Sequence, residues 1–321
     1  MPTPARKTVI GAGFCYNFIS MILVTGGTGF IGRTLIRSLI ASGEQVRVLL
    51  RPSKYSPKFP KGISVEVAVS NFSDQRSLRA AIKDVDQIYH LAGAERQGLQ
   101  GNLNQVDVEG TATLTAACKD SGVNHILFLS HHGADRGSAY PVMKAKGIAE
   151  KWIINSGIPY TIIRTGAVFG AGDQFTEPLA RLLRISPGFT LIPEEGKTLL
   201  QPIAVEDLVT CMILAMEDPM KLNRTIPIGG IESISYFEII RLIMKQLGIS
   251  RRLISVTPER LRRISLYLAQ VYRNFPVSIF WLDELAVDRI TSLDVVPREF
   301  GLIPTRFKDH LEYLNKNAIP R

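Results

Sequence analysis

Three glycines near the start of the chain recur at intervals of three residues. Gly26, Gly29 and Gly32 follow the strand-like run Ile22–Thr25 and open an apolar, helix-like segment. The first glycine permits a tight turn, the second lets the backbone approach a diphosphate, and the third lets helix and strand pack closely. The first N–H groups of such a helix attract an anion. The spacing therefore predicts a dinucleotide-binding loop, to which we also assign Thr28, Phe30 and Ile31.

The end of the second strand-like run, Val46–Leu50, bears on which dinucleotide binds. Folds specific for NAD place an acidic residue there, about twenty residues after the glycines, on the ribose 2′-hydroxyl. This chain has Arg51 instead, and its planar guanidinium suits a 2′-phosphate, with Ser53 and Lys54 close by in sequence. The sequence thus predicts NADP(H) in preference to NAD(H). The alternative is that Arg51 is a solvated loop residue.

Strand-like and helix-like segments alternate from Met21 onward, as in a parallel sheet covered on both faces. We therefore expect an α/β fold, a doubly wound parallel (Rossmann) sheet with a smaller, discontinuous C-terminal lobe. The strand-like runs are Ile22–Thr25, Val46–Leu50, Val65–Val69, Gln87–Leu91, Ile126–Ser130, Tyr160–Arg164 and Arg224–Ile228. The helix-like segments are Arg33–Ser42, Asp74–Lys83, Gly110–Ser121 and Val142–Ser156.

The same alternation predicts the division of the chain into domains. We predict a Rossmann domain that binds NADP(H) at residues 21–170, to which residues 202–230 return. Residues 171–201 and 231–321 are predicted to form a lobe that binds a substrate or partner. Residues 1–20 combine basic residues with a mildly apolar stretch but have no cleavage site. We expect them to form a disordered extension before a natural start at Met21, and a start at Met1 stays open.

Composition excludes several classes of protein. The 321 residues are 45% hydrophobic and 21% charged, which suits a buried core and argues against a disordered chain. The 3 cysteines lie far apart without a Cys-x-x-Cys pair, so we expect neither a disulfide scaffold nor a metal site. No apolar run reaches the ~18 residues that span a bilayer. We expect a cytoplasmic protein, with possible attachment to a membrane surface.

Much of the net charge of +9 is concentrated in one C-terminal region. Arginines outnumber acids strongly in residues 251–274, whereas the rest of the chain is nearly neutral, so we expect no binding of nucleic acid. In the segment 257–282, Thr257 and Pro258 read as a helix start, and apolar residues recur at helical spacing. Such a segment suits a membrane-associated protein complex or an anionic membrane surface. Alternatively, its apolar stripe covers the lobe and its arginines are solvated.

The chain resembles the short-chain dehydrogenase/reductase superfamily, in its extended and atypical branches, from Met21 to about Leu314. Besides the glycine loop, the blocks that carry the resemblance are Asp86–Gly93, Val108–Thr111, Ile203–Asp207 and Ile228–Gly230. The resemblance implies that Asn71 lies near the adenine and that Ala92 and Gly93 pass beneath the cofactor.

Three further blocks are similar to one atypical group within that superfamily. They are Tyr160–Gly170, Gly172–Phe175 and Gly196–Asp207. The group includes NmrA-like proteins and the NADPH-binding accessory subunit of respiratory complex I. This likeness implies a bound NADP(H) that serves as a structural or sensing ligand, with little or no turnover.

Catalytic members of the superfamily pair a tyrosine with a lysine four residues later, because that spacing places both side chains on one helix face. The ammonium lowers the pKa of the phenol, which then acts as acid and base. Tyr140 and Lys144 have this spacing. However, the family's lysine is usually followed four residues later by a glutamate, a pattern that fits Lys146 and places Val142 at the tyrosine position. Lys146 is then the residue expected to hold the cofactor.

A histidine stands where the family's catalytic serine or threonine is expected. His131 and His132 directly follow the fifth strand-like run, and an imidazole titrates near neutral pH. Three alternatives stay open: catalysis by Tyr140 and Lys144, cofactor binding without that chemistry, or catalysis that uses Lys146 or His131. We predict an accessory or redox-sensing protein that binds NADP(H). The alternative is an active NADP-dependent reductase, epimerase or dehydratase that acts on a nucleotide sugar or a similar small molecule.

Overall fold

The structure is a computed structural model that describes residues 20–53, 64–95, 101–271 and 279–316. The predicted N-terminal extension lies outside the described residues, apart from Ser20, and so does Lys54.

The described residues contain thirteen strands. They are β1 (Met21–Thr25), β2 (Gln45–Leu50), β3 (Glu66–Val69), β4 (Gln87–His90), β5 (His125–His131), β6 (Tyr160–Thr165), β7 (Val168–Phe169), β8 (Phe189–Pro193), β9 (Leu199–Leu200), β10 (Ile203–Ala204), β11 (Arg224–Ile228), β12 (Ile234–Ser235) and β13 (Arg252–Val256). Seven of them, β1 to β6 and β11, begin and end close to the predicted runs.

Eleven α-helices occur in the same part of the chain. They are α1 (Phe30–Ala41), α2 (Gln75–Ile82), α3 (Gly110–Cys118), α4 (Pro141–Ile154), α5 (Thr176–Ile185), α6 (Val205–Glu217), α7 (Tyr236–Leu247), α8 (Pro258–Val271), α9 (Ile279–Glu284), α10 (Val295–Phe300) and α11 (Tyr313–Lys316). A π-helical turn, Asn104–Glu109, leads into α3.

Seven strands form one parallel sheet in the order β11-β6-β5-β4-β1-β2-β3. The chain runs from β1 outward through β2 and β3, and then crosses to β4 on the other side of β1. The strand order therefore reverses between β1 and β4. In open α/β sheets, ligands bind at this switch point, beyond the carboxyl ends of the strands.

Helices cover both faces of this sheet. Successive residues of β1 point to opposite faces, so Ile22 and Val24 pack with α1 and α6 whereas Leu23 packs with α2, α3 and α4. The prediction of a doubly wound Rossmann fold is confirmed.

A third apolar cluster fills the C-terminal lobe, where α5 and α7 pack around residues such as Phe169, Ile239 and Phe307. Short paired strands, β8 with β13 and β9 with β12, complete this lobe. Part of the predicted lobe packs elsewhere, since Val295 and Val296 of α10 join the cluster on the face of the large sheet. The exact domain boundaries stay a prediction.

The basic segment forms a helix whose start follows the sequence signal, because α8 begins at Pro258. An Nη1 to Oδ1 distance of 2.7 Å joins Arg262 of α8 to Asp283 of α9, so this arginine forms an ion pair and is not merely solvated. No helix within the described ranges is both long and apolar enough to cross a membrane.

Candidate functional site

The turn between β1 and α1 has a backbone that only glycine accommodates easily. Gly26 has φ +72°, and a Cβ there would lie 2.6 Å from the carbonyl oxygen of Leu91. A Cβ at Gly32 would lie 2.4 Å from the carbonyl oxygen of Gly26. Gly29, whose N–H donates to that same oxygen over 2.9 Å, precedes α1 and has no side chain to cap it. The first N–H groups of α1 are therefore available to an anion such as a diphosphate.

The glycine loop forms one wall of a cleft at the carboxyl ends of the central strands. The opposite wall is largely apolar and includes residues from the C-terminal lobe. Of the predicted site residues, the cleft is lined by Gly26, Gly29, Phe30, Ile31, Gly32, Gly93, His131 and Lys146. The apolar lining includes Leu91, Leu129, Val142, Val168, Phe175 and Trp281.

The other predicted cofactor residues lie around this cleft. Ala92 follows β4, and its N–H donates to Oγ1 of Thr25 over 3.3 Å beneath the glycine loop. Thr28 and Asn71 are exposed and are not among the described residues that line the cleft. Arg51 is also exposed and directly follows β2, which pairs with β1. Since both strands are parallel, Arg51 lies at the same edge of the sheet as the loop.

Val142 and Lys146 of helix α4 line the cleft, whereas Tyr140 and Lys144 are not among its lining residues. Tyr140 is the residue before α4 and has extended backbone angles, φ −88° and ψ 121°, so it does not share the helical stacking of the residues after it. Lys144 is exposed, whereas Val142 is buried. The geometry favours the register of Lys146, which leaves no phenol at the position of the family's tyrosine.

Lys146 is buried and paired with Asp107, a residue that the sequence analysis missed. Its Nζ lies 3.1 Å from Oδ1 of Asp107 and 5.2 Å from the centroid of the Phe128 ring. The other carboxylate oxygen of Asp107 accepts the N–H of Ala94 over 2.9 Å. Burial disfavours the ammonium, but Asp107 and Glu95 outweigh it and raise the pKa of Lys146. The cleft therefore holds a fixed positive charge next to Gly93.

His131 lies between two carboxylates at the end of β5. Its Nε2 is 2.8 Å from an oxygen of Glu95, and its Nδ1 is 3.6 Å from an oxygen of Glu284 in α9. Burial lowers the pKa of His131, but the two carboxylates outweigh burial and raise it. Burial, only partly offset by His131 and Arg289, raises the pKa of Glu284.

The neighbouring histidine has a different environment. Nε2 of His132 is 3.1 Å from the carbonyl oxygen of Ile228, and burial lowers the pKa of His132 to about 4. It is thus a neutral, internal side chain, and only His131 lines the cleft.

The two glutamates beside His131 differ in whether the sequence could have indicated them as site residues. Glu95 lies two residues after Gly93, which was predicted to pass beneath the cofactor, so Glu95 could have been predicted as a site residue. Glu284 and Trp281 lie far along the chain, and Trp281 belongs to the segment that was expected to face a partner. The structure instead places the Trp281 ring in the cleft, with its centroid 4.7 Å from that of Phe175.

Comparison with known proteins supports the binding of a nicotinamide dinucleotide by the N-terminal part of the chain. Residues 26–176 match the NAD(P)H-binding family. Sterol demethylase protein B of Methylococcus capsulatus is 27% identical over 277 residues, which are 79% of this chain and 82% of that protein. The mitochondrial NADH dehydrogenase (ubiquinone) 1 alpha subcomplex subunit 9 of Arabidopsis thaliana is 23% identical over 325 residues, 94% of this chain and 80% of that protein.

The fold also matches solved structures. The NADPH-dependent quinone oxidoreductase of Escherichia coli, solved with NADPH, superposes with a TM-score of 0.72 at 17% identity, over 92% of this chain and 99% of that one. At that identity the likeness concerns the fold alone. Residues 26–176 therefore form an NAD(P)H-binding Rossmann domain, and the relatives are consistent with the resemblance of the chain to the atypical short-chain dehydrogenases/reductases.

Proposed function

We propose that this protein binds NADP(H) with the diphosphate on the glycine loop and the 2′-phosphate on Arg51. The loop supplies free helix N–H groups, and Arg51 follows the strand next to it. Lys146 lies on the nicotinamide side, beside Gly93. In this proposal Asn71 contacts the adenine.

The substitution Arg51→Asp tests the preference for NADP(H). It should weaken NADPH binding by about 1.5–3 kcal/mol, as for a lost hydrogen bond to a charged group, and change NADH binding much less. Titration calorimetry with both nucleotides measures this. Arg79→Asp, on the exposed surface of α2, is a control with the same charge change. Equal losses for NADPH and NADH in Arg51→Asp would show that Arg51 does not bind the 2′-phosphate.

We infer that the bound nucleotide serves as a structural or redox-sensing ligand of an accessory subunit, and that tyrosine-based turnover is lost. The observation that carries this inference is the position of Val142, which lines the cleft four residues before Lys146. A valine side chain cannot exchange a proton. We therefore expect the purified protein to retain NADP(H), and Tyr140→Phe to leave any turnover unchanged. A turnover that Tyr140→Phe abolishes would contradict the inference.

We propose that the accessory role is exerted in the cytoplasm at a membrane-associated complex, through the exposed side of α8. Arg260 and Arg263 are exposed there, beside Ile264 and Tyr267, which are 39% and 67% exposed. Basic residues next to exposed apolar ones suit an anionic surface. The double substitution Arg260→Glu with Arg263→Glu should abolish flotation with phosphatidylserine vesicles. Flotation that persists in this variant, or that occurs equally with phosphatidylcholine, would contradict the proposal.

A second candidate function is that of an active NADP-dependent reductase. The observation that favours it is the pair of carboxylates near His131, which raise the pKa of this imidazole in the same cleft as Lys146. The largely apolar wall favours a reductase over an epimerase or dehydratase of nucleotide sugars, whose substrates are rich in hydroxyl groups.

A further inference from the structure

The side chains of the cleft narrow the choice of a proton donor. In the described part of the chain, the titratable residues that line it are Glu95, His131, Lys146 and Glu284. Lys146 is paired with Asp107, which raises its pKa, so it keeps its proton at neutral pH. Carboxylate oxygens lie 2.8 Å from Nε2 of His131 (Glu95) and 3.6 Å from its Nδ1 (Glu284). His131 combines a position in the cleft with a proton that an imidazole exchanges near neutral pH.

The two ring nitrogens of His131 have unequal surroundings. Nε2 lies 2.8 Å from Glu95, within hydrogen-bond distance, so this carboxylate holds and orients the ring. Nδ1 is buried and has no hydrogen-bond partner among the described residues, because the Glu284 oxygen at 3.6 Å is too distant. A buried N–H without an acceptor is costly, and a ligand oxygen that moves the Glu284 carboxylate aside would satisfy it.

The surrounding wall indicates which ligand this is. Beside His131 the cleft is lined mainly by apolar side chains, among them Leu129, Val142, Phe175 and Trp281, while Ser130, Thr165 and Gln174 add uncharged polar groups and no further acid. A suitable molecule is apolar and carries one oxygen that accepts a hydrogen bond. We propose that His131 is the proton donor when NADPH reduces an apolar aldehyde or ketone in this cleft. This inference rests on the proposed binding of NADP(H) and not on the accessory role.

The step balances with the groups named. Bound NADPH would supply a hydride to the carbonyl carbon, and the π electrons of the carbonyl group would then move to its oxygen. His131 transfers the Nδ1 proton to that oxygen, so the products are an alcohol, NADP⁺ and a neutral imidazole. After the alcohol leaves, Nδ1 of His131 regains a proton from water, while Glu95, whose side chain is 34% exposed, continues to accept the Nε2–H. Glu95 and Glu284 stabilise the imidazolium before transfer, much as a buried carboxylate orients the histidine of a hydrolase triad.

The test uses the full chain with NADPH and with benzaldehyde and cyclohexanone as the probes. His131→Gln should lower kcat/KM on the order of 100-fold or more, the usual contribution of general acid catalysis, with an unchanged Kd for NADPH. The matched control is His310→Gln, an exposed histidine outside the lining of the cleft, which should keep the wild-type rate.

A pH profile separates catalysis from a structural role. The wild-type rate should fall as pH rises through the raised pKa of His131, because the acid form is then lost. Glu284→Gln should move this fall to lower pH, since Glu95 would be the sole remaining carboxylate on the ring, against the opposing charge of Lys146. Reduction unaffected by His131→Gln, or NADPH binding without reduction of either probe, would overturn this inference alone. Failure of NADPH to bind would overturn the proposed function as well.

Discussion

The charged pair of Lys146 and Asp107 shows how single residues place a permanent charge inside the cleft. Asp107 has only 2% of its surface exposed, so neither charge is solvated and each depends on the other. Asp107→Leu should therefore lower the free energy of unfolding by about 3–5 kcal/mol, the cost of a buried charge that loses its partner. Urea unfolding measures this loss.

A second variant checks the cause of that loss. Combining Asp107→Leu with Lys146→Met removes both charges, so part of the lost stability should return. If the double variant is less stable than Asp107→Leu alone, the pair does not explain the effect.

The same residues show which parts of the site could be predicted from the sequence. Gly26 and Gly32 belong to a local pattern whose spacing reflects a tight turn before a helix, so their positions could be inferred, whereas Lys146 was indicated by the family resemblance. The neighbours of His131 could not be inferred equally well. Glu284 reaches His131 only because α9 of the C-terminal lobe packs against the sheet edge, a contact between distant segments for which the sequence carries no periodic signal.

At the level of elements, the loop before α5 depends on one buried carboxylate. Oδ1 of Asp173 accepts the N–H groups of Phe175, Thr176 and Glu177, and Oδ2 accepts the hydroxyl of Tyr313 in α11 over 3.0 Å. The segment Gly172–Phe175 supported the family resemblance. The structure shows that its aspartate caps α5 and ties α11 to it, which positions Phe175 in the cleft.

Asp173→Ala should destabilise the protein by about 3–4 kcal/mol, near the upper end for single substitutions, because several buried donors lose their acceptor. Asp74→Ala is the matched control. Asp74 caps α2 on the exposed surface, where it accepts the N–H groups of Arg76 and Ser77, so its loss should cost about 0.5–2 kcal/mol. Thermal unfolding compares the two. Equal losses would show that burial of the Asp173 cap contributes nothing.

For the whole molecule, the Rossmann sheet was predictable because its strands are continuous apolar runs between helical segments. The path of the C-terminal residues could not be predicted from the sequence. Helix α10 is six residues long, too short for a clear periodicity, and it lies on the sheet instead of in the lobe. Glu299 of α10 binds Lys221 at 2.8 Å and Arg224 of β11 at 3.0 Å, contacts that pair residues distant in sequence.

This link between the C-terminus and the sheet predicts an acid dependence of stability. Hydrogen bonds from Arg224 and Lys221 lower the pKa of Glu299 from its usual 4.5 to about 2. Because the folded-state pKa is the lower one, the carboxylate stabilises the fold above pH 4.5, and this contribution is lost as pH falls toward about 2. Glu299→Gln should reduce stability at neutral pH by about 1.5–3 kcal/mol and flatten that acid limb. Urea unfolding across this range checks it, with the exposed Glu206→Gln as control. An unchanged acid limb in Glu299→Gln would mean that α10 is held to the sheet by its apolar contacts alone.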